Sequence, residues 1–124
     1  KGVFVLDTQA YRSEFVRDLR ERMGCDQRTF AGIVGVTPAA VSRWENERAM
    51  PRNPRWEKLY DLKEELKATR NPERLVELLR VASSICPQEI PMELLVEGRL
   101  KTEIQSRLRE MDLLPGDPRS ELIS

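Results

Sequence analysis

The sequence predicts an all-α protein. Apolar residues recur at i, i+3, i+4 and i+7, which is the spacing of helices that bury one stripe. A cap residue followed by proline, the start signal of a helix, occurs three times: at Thr37-Pro38, Asn53-Pro54 and Asn71-Pro72. The chain has 124 residues, of which 40% are hydrophobic and 34% are charged. It can therefore bury one modest core, or a small domain with an appended element.

A short extended arm is predicted over residues 2–6, ahead of the first helix. Asp7 or Thr8 is expected to cap this helix, and Gly24 to stop it, because glycine readily adopts the positive φ of a helix C-terminus. The apolar stripe of the helix consists of Tyr11, Phe15, Leu19 and Met23.

The second helix is predicted to begin at Gln27 and to end before Gly35. Its apolar face continues at Phe30, Ala31 and Val34, and the small Ala31 allows another helix to cross closely. Gly35 is the residue best able to make the turn that follows.

The third helix is predicted to begin at Pro38, the first helical position after an N-cap at Thr37. Val36 before the cap and Val41 after it can form a hydrophobic staple, which fixes the angle at which the chain enters the helix. Val41 and Trp44, with Ala40, are predicted to form its buried side.

Three helical segments follow. Asn53-Pro54 opens a fourth helix and Asn71-Pro72 opens a fifth. A last helical region is predicted over 92–111, with Gly98 as a possible kink. The inward residues of these segments are Trp56, Leu59, Tyr60, Leu62, Leu66, Leu75, Leu78, Leu79, Ala82, Leu94, Leu95, Leu100, Ile104, Leu108 and Met111.

From about Phe15 to Leu62, the chain resembles the phage repressor and Cro type of helix-turn-helix domain, the xenobiotic-response-element family of bacterial transcriptional regulators. The resemblance covers roughly half of the chain, and several independent spacings agree. The chain departs from the family pattern at Glu47, where the family usually places glycine after the Glu-Asn pair. The matching residues are Leu19-Arg20, Gln27, Ala31, Gly35, Val36-Thr37, Val41-Ser42, Trp44-Glu45-Asn46 and Pro51.

The resemblance implies a lambda-repressor-like helix-turn-helix domain of four to five helices over residues 7–69. A C-terminal helical extension over 70–113 and a frayed tail over 114–124 would follow. The extension has apolar stripes that must bury either against the chain's own core or against a second copy. Regulators that read two half-sites one helical turn apart are dimers, which favours the extension as a dimerisation region.

Helical hairpins with a glycine turn also occur in ordinary bundles, so the outward face of the third helix is what indicates DNA binding. Arg43 can contact guanine O6 and N7, and Ala39 can touch a thymine methyl group. The resemblance implies that Gln27 anchors a phosphate or an adjacent base, and that Arg20 pairs with Glu45 near the DNA surface. Four residues are predicted to contact the phosphate backbone of the DNA: Thr37, Asn46, Arg48 and Arg52. The complete set of predicted DNA-binding residues is Gln27, Arg28, Thr37, Pro38, Ala39, Ala40, Ser42, Arg43, Asn46, Arg48 and Arg52.

Charge is distributed unevenly although its formal sum is zero. Residues 1–63 carry 12 Lys and Arg against 9 Asp and Glu, and residues 64–124 carry 9 against 12. The half that contains the helix-turn-helix is therefore the basic half. Five of its cations, Arg43, Arg48, Arg52, Arg55 and Lys58, lie close together and would give a salt-sensitive attraction to phosphate.

The sequence offers little for catalysis or metal binding. It has no histidine, the usual general base, and Cys25 and Cys86 are too few to hold a structural zinc ion. We expect both cysteines to be reduced thiols, with no cofactor, no metal site and no enzymatic activity. No apolar run reaches the roughly 20 residues of a membrane span.

Together these features predict a cytoplasmic DNA-binding transcriptional regulator, most simply a repressor that binds a palindromic operator in double-stranded DNA as a homodimer. The alternative is an antitoxin or adaptor whose C-terminal helices bind a partner protein while the helix-turn-helix serves autoregulation. A co-purifying toxin-like protein would favour this alternative, and operator-specific binding by the isolated protein would favour the repressor.

Overall fold

A computed structural model describes the backbone of residues 2–112 and the side chains from Thr8 onward. Over that range the protein is all-α, as predicted, and contains no strand. None of the helices described is long and apolar enough to cross a membrane. The helices are α1 Gly2–Arg22, α2 Gln27–Val34, α3 Pro38–Glu45, α4 Asn53–Ala68, α5 Pro72–Ile85, α6 Pro91–Val96 and α7 Leu100–Glu110.

The prediction for the N-terminal segment was wrong. Helix α1 begins at Gly2, so residues 2–6 are not an extended arm, and neither Asp7 nor Thr8 starts the helix. The β-branched and aromatic residues of this segment have only weak preferences against a helix, which the propagation of an adjacent helix overrides. The predicted tail over 114–124 lies outside the described residues.

Two of the three predicted cap-plus-proline starts are confirmed in detail. The Thr37 hydroxyl accepts from the Ala40 N–H at 3.1 Å, and the Asn71 side chain accepts from the Arg74 N–H at 3.0 Å. Asn53 is different, because it lies inside α4 and its Oδ1 accepts from Arg12 at 3.4 Å. The start of α4 therefore has no side-chain cap.

The last predicted helix is broken rather than kinked. Gly98 has φ of 74°, which ends α6 and separates it from α7. The Arg99 N–H closes back on the Leu94 carbonyl at 2.8 Å, the hydrogen bond of a left-handed helix exit.

The buried residues of the predicted helix-turn-helix domain, 7–69, and of the predicted extension, 70–113, form one hydrophobic core. It contains the predicted core residues of the helix-turn-helix, and also Leu79, Ala82, Leu94, Leu100 and Ile104 of the extension. Tyr11 and Tyr60 were predicted to point inward but are 57% and 47% exposed, and Met111 is 49% exposed. The tyrosines lie at the core's edge, where Tyr11 packs edge-on to Trp56. Buried residues that the periodicity did not reveal include Val16, Ile33, Pro51, Pro91 and Met92.

The extension packs directly on the helix-turn-helix, since α2 contacts both α5 and α6. A Cβ built on Gly35 would lie 2.8 to 2.9 Å from three carbon atoms of Ile90, and one on Gly32 would lie 2.6 Å from the Ser83 hydroxyl. Ile90 therefore covers the turn between α2 and α3. The apolar stripe of the extension is largely buried within the chain itself.

Candidate nucleic-acid interface

Helix α3 has one buried side and one exposed side. Val41 and Trp44 are buried, whereas Pro38, Ala39 and Arg43 are exposed. The exposed side chains at the N-terminal end, Pro38 and Ala39, are small, and the guanidinium of Arg43 follows one turn later. Such a surface can approach the floor of a DNA major groove, where bases are read.

The turn that precedes α3 is fixed by backbone and side-chain hydrogen bonds. Gly35 has φ of 78°, and the N–H groups of Gly35 and Val36 both donate to the Ala31 carbonyl, at 2.8 and 3.0 Å. Arg55 Nη1 donates to the carbonyls of Val34 and Gly35 at 3.2 and 3.3 Å. The end of α2 thus has partners for its last carbonyls, and the entry to α3 is held in place.

The C-terminal end of α3 is fixed by the buried carboxylate of Glu45, which is only 5% exposed. Arg20 Nε donates to Oε2 at 2.6 Å, and Arg20 Nη2 donates to Oε1 at 3.0 Å. Gln27 Nε2 donates to the same Oε1 at 3.2 Å. A buried carboxylate is tolerated when it is paired and hydrogen-bonded in this way. The hydrogen bond to Glu45 uses one N–H of Gln27, which leaves the second amide N–H for the predicted DNA contact.

Glu45 is also held through its backbone carbonyl, a feature that the sequence reasoning missed. The Ser13 hydroxyl donates to this carbonyl at 2.9 Å, and Arg17 Nη2 donates to it at 2.6 Å. Ser13 and Arg17 lie four residues apart and so share one face of α1. That spacing of two polar residues beside the apolar stripe was the available signal.

The exit from α3 is left-handed even though no glycine is present. Glu47 has φ of 59°, its N–H donates to the Trp44 carbonyl at 3.3 Å, and the Arg48 N–H donates to the Arg43 carbonyl at 2.8 Å. These two hydrogen bonds form a Schellman motif. The side-chain amide of Gln9 donates to the Glu47 carbonyl. The departure from the family pattern therefore leaves the geometry of the exit intact.

The predicted basic surface is smaller than the sequence indicated. Lys58 Nζ pairs with Glu93 Oε1 at 2.6 Å, and Arg55 is committed to the α2 turn, so neither cation extends freely toward a ligand. Between residues 27 and 56, the exposed cations that have no side-chain or backbone acceptor among the described residues are Arg28, Arg43, Arg48 and Arg52.

The remaining predicted site residues are surface groups in local contacts. Asn46 is exposed, and its Nδ2 donates to the Ser42 carbonyl at 2.9 Å and to the Ser42 hydroxyl at 3.3 Å. Ala40 and Ser42 are half-buried. The Thr37 hydroxyl accepts the α3 cap hydrogen bond and keeps its own proton for donation.

The electrostatics near the start of α2 are set by its cap. The Asp26 side chain accepts from the Thr29 N–H at 2.7 Å, and this hydrogen bond, with the nearby Arg28, lowers the pKa of the carboxyl group. Among the described side chains, those of residues 8–112, no group of His, Cys, Asp and Glu could hold a metal ion.

The matching family model defines the class of this domain. Residues 16–60, which span the end of α1 through the first half of α4, match the model described as helix-turn-helix. For this segment the match supports the phage repressor and Cro type of helix-turn-helix, a family of DNA-binding regulators. Comparisons with curated proteins and with solved structures gave no match.

Proposed function

We propose that this protein is a cytoplasmic transcriptional repressor that binds a palindromic operator as a homodimer. The observation that carries the proposal is the two-sided character of α3. Its inner side is fixed to α1 by the hydrogen bonds of Glu45, while its outer side presents the side chains of Pro38, Ala39 and Arg43, which have no hydrogen-bond or ion-pair partner among the described residues. A rigid helix with an exposed, unpaired arginine is suited to base recognition, since little entropy is lost when it binds.

In this proposal Arg43 reads bases. Its guanidinium can donate two parallel hydrogen bonds to guanine O6 and N7, and the methyl groups of Ala39 and Ala40 can contact thymine. Gln27, at the start of α2, can use its remaining amide N–H on a phosphate or an adjacent base.

Backbone contacts would come from residues around the two ends of α3. Thr37 lies at its start, and Asn46 and Arg48 lie at its exit. Together with Arg28, Ser42 and Arg52, these side chains would contact phosphates and fix the register of the protein on the duplex.

We place the dimer contact on the outer face of the extension. A groove there is lined by Leu75, Leu78, Leu95 and Val96, and Val96 is 37% exposed. Glu65 and Lys101 flank the groove and form no ion pair with any side chain described. Because a two-fold interface brings the same patch of each copy together, Lys101 of one copy can face Glu65 of the other.

Selection of bound duplexes from a random pool tests the proposal as a whole. The expected product is a palindromic consensus with half-site centres about 10 base pairs apart or a multiple of that spacing. An unsymmetrical consensus would contradict the homodimer, and recovery of no consensus would contradict sequence-specific regulation.

Charge reversal tests the dimer contact separately. Lys101→Glu should weaken dimerisation measured by sedimentation equilibrium, because it places two carboxylates opposite each other. The double variant Glu65→Lys with Lys101→Glu should restore dimerisation, since the reversed pair is again complementary. A monomeric wild type, or a single variant that dimerises like the wild type, would exclude this interface.

A further inference from the structure

Glu47, the second residue beyond the end of α3, combines an unfavourable backbone conformation with an unpaired charge. Glu47 has φ of 59°, a region that disfavours residues with a Cβ atom. The other described residues with positive φ are Gly24, Gly35, Gly98 and Asp112, all of residue types that enter this region more readily. A strained position of this kind is a reason to ask what the side chain does.

The Glu47 carboxylate is uncompensated. The side chain is exposed, and no described side chain donates a hydrogen bond to it or pairs with it. Glu45 is the other acidic residue between positions 27 and 56, and Arg20 neutralises it. Glu47 is therefore the one unpaired negative charge in a segment whose exposed arginines include Arg43, Arg48 and Arg52.

The position of this charge is fixed by the fold. The Glu47 N–H donates to the Trp44 carbonyl, and its carbonyl accepts from the side chain of Gln9 on α1. The next N–H, that of Arg48, closes on the Arg43 carbonyl. Glu47 thus lies at a constrained point of the backbone between two of the arginines proposed to contact DNA.

We propose that Glu47 limits the affinity of the protein for DNA of any sequence, by holding a negative charge close to the phosphates that flank the recognition helix. This inference rests on the proposed function, because it requires α3 to face the duplex. A carboxylate within a Debye length of a phosphate, about 8 Å at 0.15 M salt, repels it without reference to base identity. Occupancy of an operator then depends more on base contacts and on both half-sites than on attraction to phosphate.

The test compares full-length variants that separate charge from backbone strain. Glu47→Gln removes the charge and keeps the side-chain size and the strain, whereas Glu47→Asp keeps the charge. Glu77→Gln is the matched control, because it makes the same change in net charge at an exposed position of α5, a helix with no close packing against α3. Each protein is titrated, over a series of salt concentrations, against the selected operator duplex and against an unrelated duplex of equal length.

We expect Glu47→Gln to bind both duplexes roughly three- to tenfold more tightly than the wild type at 0.15 M salt. Glu47→Asp and Glu77→Gln should each remain within about twofold of the wild type, because the first keeps the local charge and the second changes a charge on a helix that does not pack closely against α3. Thermal unfolding checks that every variant is folded.

Two results would overturn the inference while leaving the proposed function in place. One is Glu47→Gln binding both duplexes like the wild type, which would mean that the carboxylate does not face phosphate. The other is a loss of affinity for the operator alone, which would mean that the carboxylate accepts a hydrogen bond from a base such as cytosine. A wild-type protein that binds no DNA would overturn the proposed function and this inference together.

Discussion

Arg20 and Glu45 join α1 to the end of α3 through two parallel hydrogen bonds, of 2.6 and 3.0 Å. The pair lies at the centre of a larger cluster, because Arg20 Nη1 also donates to the Cys25 carbonyl at 3.0 Å. The hydrogen bond to Glu45 and the nearby carboxylates raise the pKa of Arg20 against the opposing effect of burial, so the guanidinium stays charged. The Arg20 side chain therefore joins α1, the loop before α2 and the end of α3.

Loss of this ion pair should destabilise the fold. Arg20→Ala is expected to lower the free energy of unfolding by about 3 kcal/mol, near the low end for a buried pair because Arg20 is 18% exposed. Arg107→Ala, which breaks the exposed pair with Glu110, should cost no more than about 0.5 kcal/mol. Urea denaturation of both variants measures the difference, and equal losses would show that the Glu45 carboxylate is compensated without Arg20.

Gly35 and Ile90 are expected to be energetically coupled. Gly35→Ala should destabilise the protein by about 2 kcal/mol or more, through the left-handed φ and through collision of the new Cβ with Ile90. Ile90→Ala should cost about 1 to 3 kcal/mol by leaving a cavity. In the double variant the collision is absent. The free energy of unfolding that it loses should therefore be smaller than the sum of the losses in the two single variants. Strict additivity in a double-mutant cycle would mean that φ alone requires the glycine.

The two cysteines should make stability fall at high pH. Burial is the largest cause raising the pKa of both Cys25 and Cys86 above the ordinary value of 9.0. The stability linked to these thiols is fully present below pH 9.0 and is lost as the pH rises toward the folded-state pKa, because the unfolded chain ionises first. Each thiol can contribute at most about 1.4 kcal/mol per pH unit in that window. The free energy of unfolding measured from pH 8 to 10 should depend less steeply on pH in a Cys25→Ala, Cys86→Ala double variant, and identical slopes would contradict this assignment.

Replacement of Glu47 by glycine should stabilise the protein. Glycine adopts a φ near 59° without a steric cost, and we expect a gain of about 0.5 to 1 kcal/mol after allowance for the greater freedom of glycine in the unfolded chain. Glu47→Ala keeps the Cβ atom and should give no such gain. If alanine and glycine stabilise equally, charge rather than backbone strain is responsible. Guanidinium denaturation of the two variants decides this.

Arg43 and Arg52 should affect DNA binding in different ways if the proposed function holds. Arg43→Ala should cost roughly 1 to 3 kcal/mol on the selected operator and relax preference at one base pair in each half-site. Arg52→Ala should weaken all sequences about equally and reduce the salt slope by about one unit for a lost phosphate contact. Uniform weakening by Arg43→Ala would instead identify Arg43 as a phosphate anchor.

Local signals in the sequence determined α2, α3 and the turn between them. The positive φ at Gly35, the cap at Thr37 and the burial of Val41 and Trp44 all follow from residues within one or two turns of each other. Such features depend on backbone geometry and helical periodicity, which short stretches of sequence specify well. The same local reasoning identified the exposed face of α3, which includes Arg43.

Contacts between distant parts of the chain were decided by the tertiary structure. Periodicity showed that the extension has an apolar face but did not reveal that Ile90 covers the Gly35 turn. The spacing of apolar residues within a helix indicates which face is buried, but not which distant residue packs against it. The cluster of arginines after α3 looked uniform in sequence, yet Arg55 and Lys58 are bound within the fold. Their availability depends on acceptors supplied by α2 and α6, so only the folded chain distinguishes them from the exposed Arg43, Arg48 and Arg52. The sequence alone determined the motif and its exposed face, whereas three-dimensional packing decided which charges remain free to meet DNA.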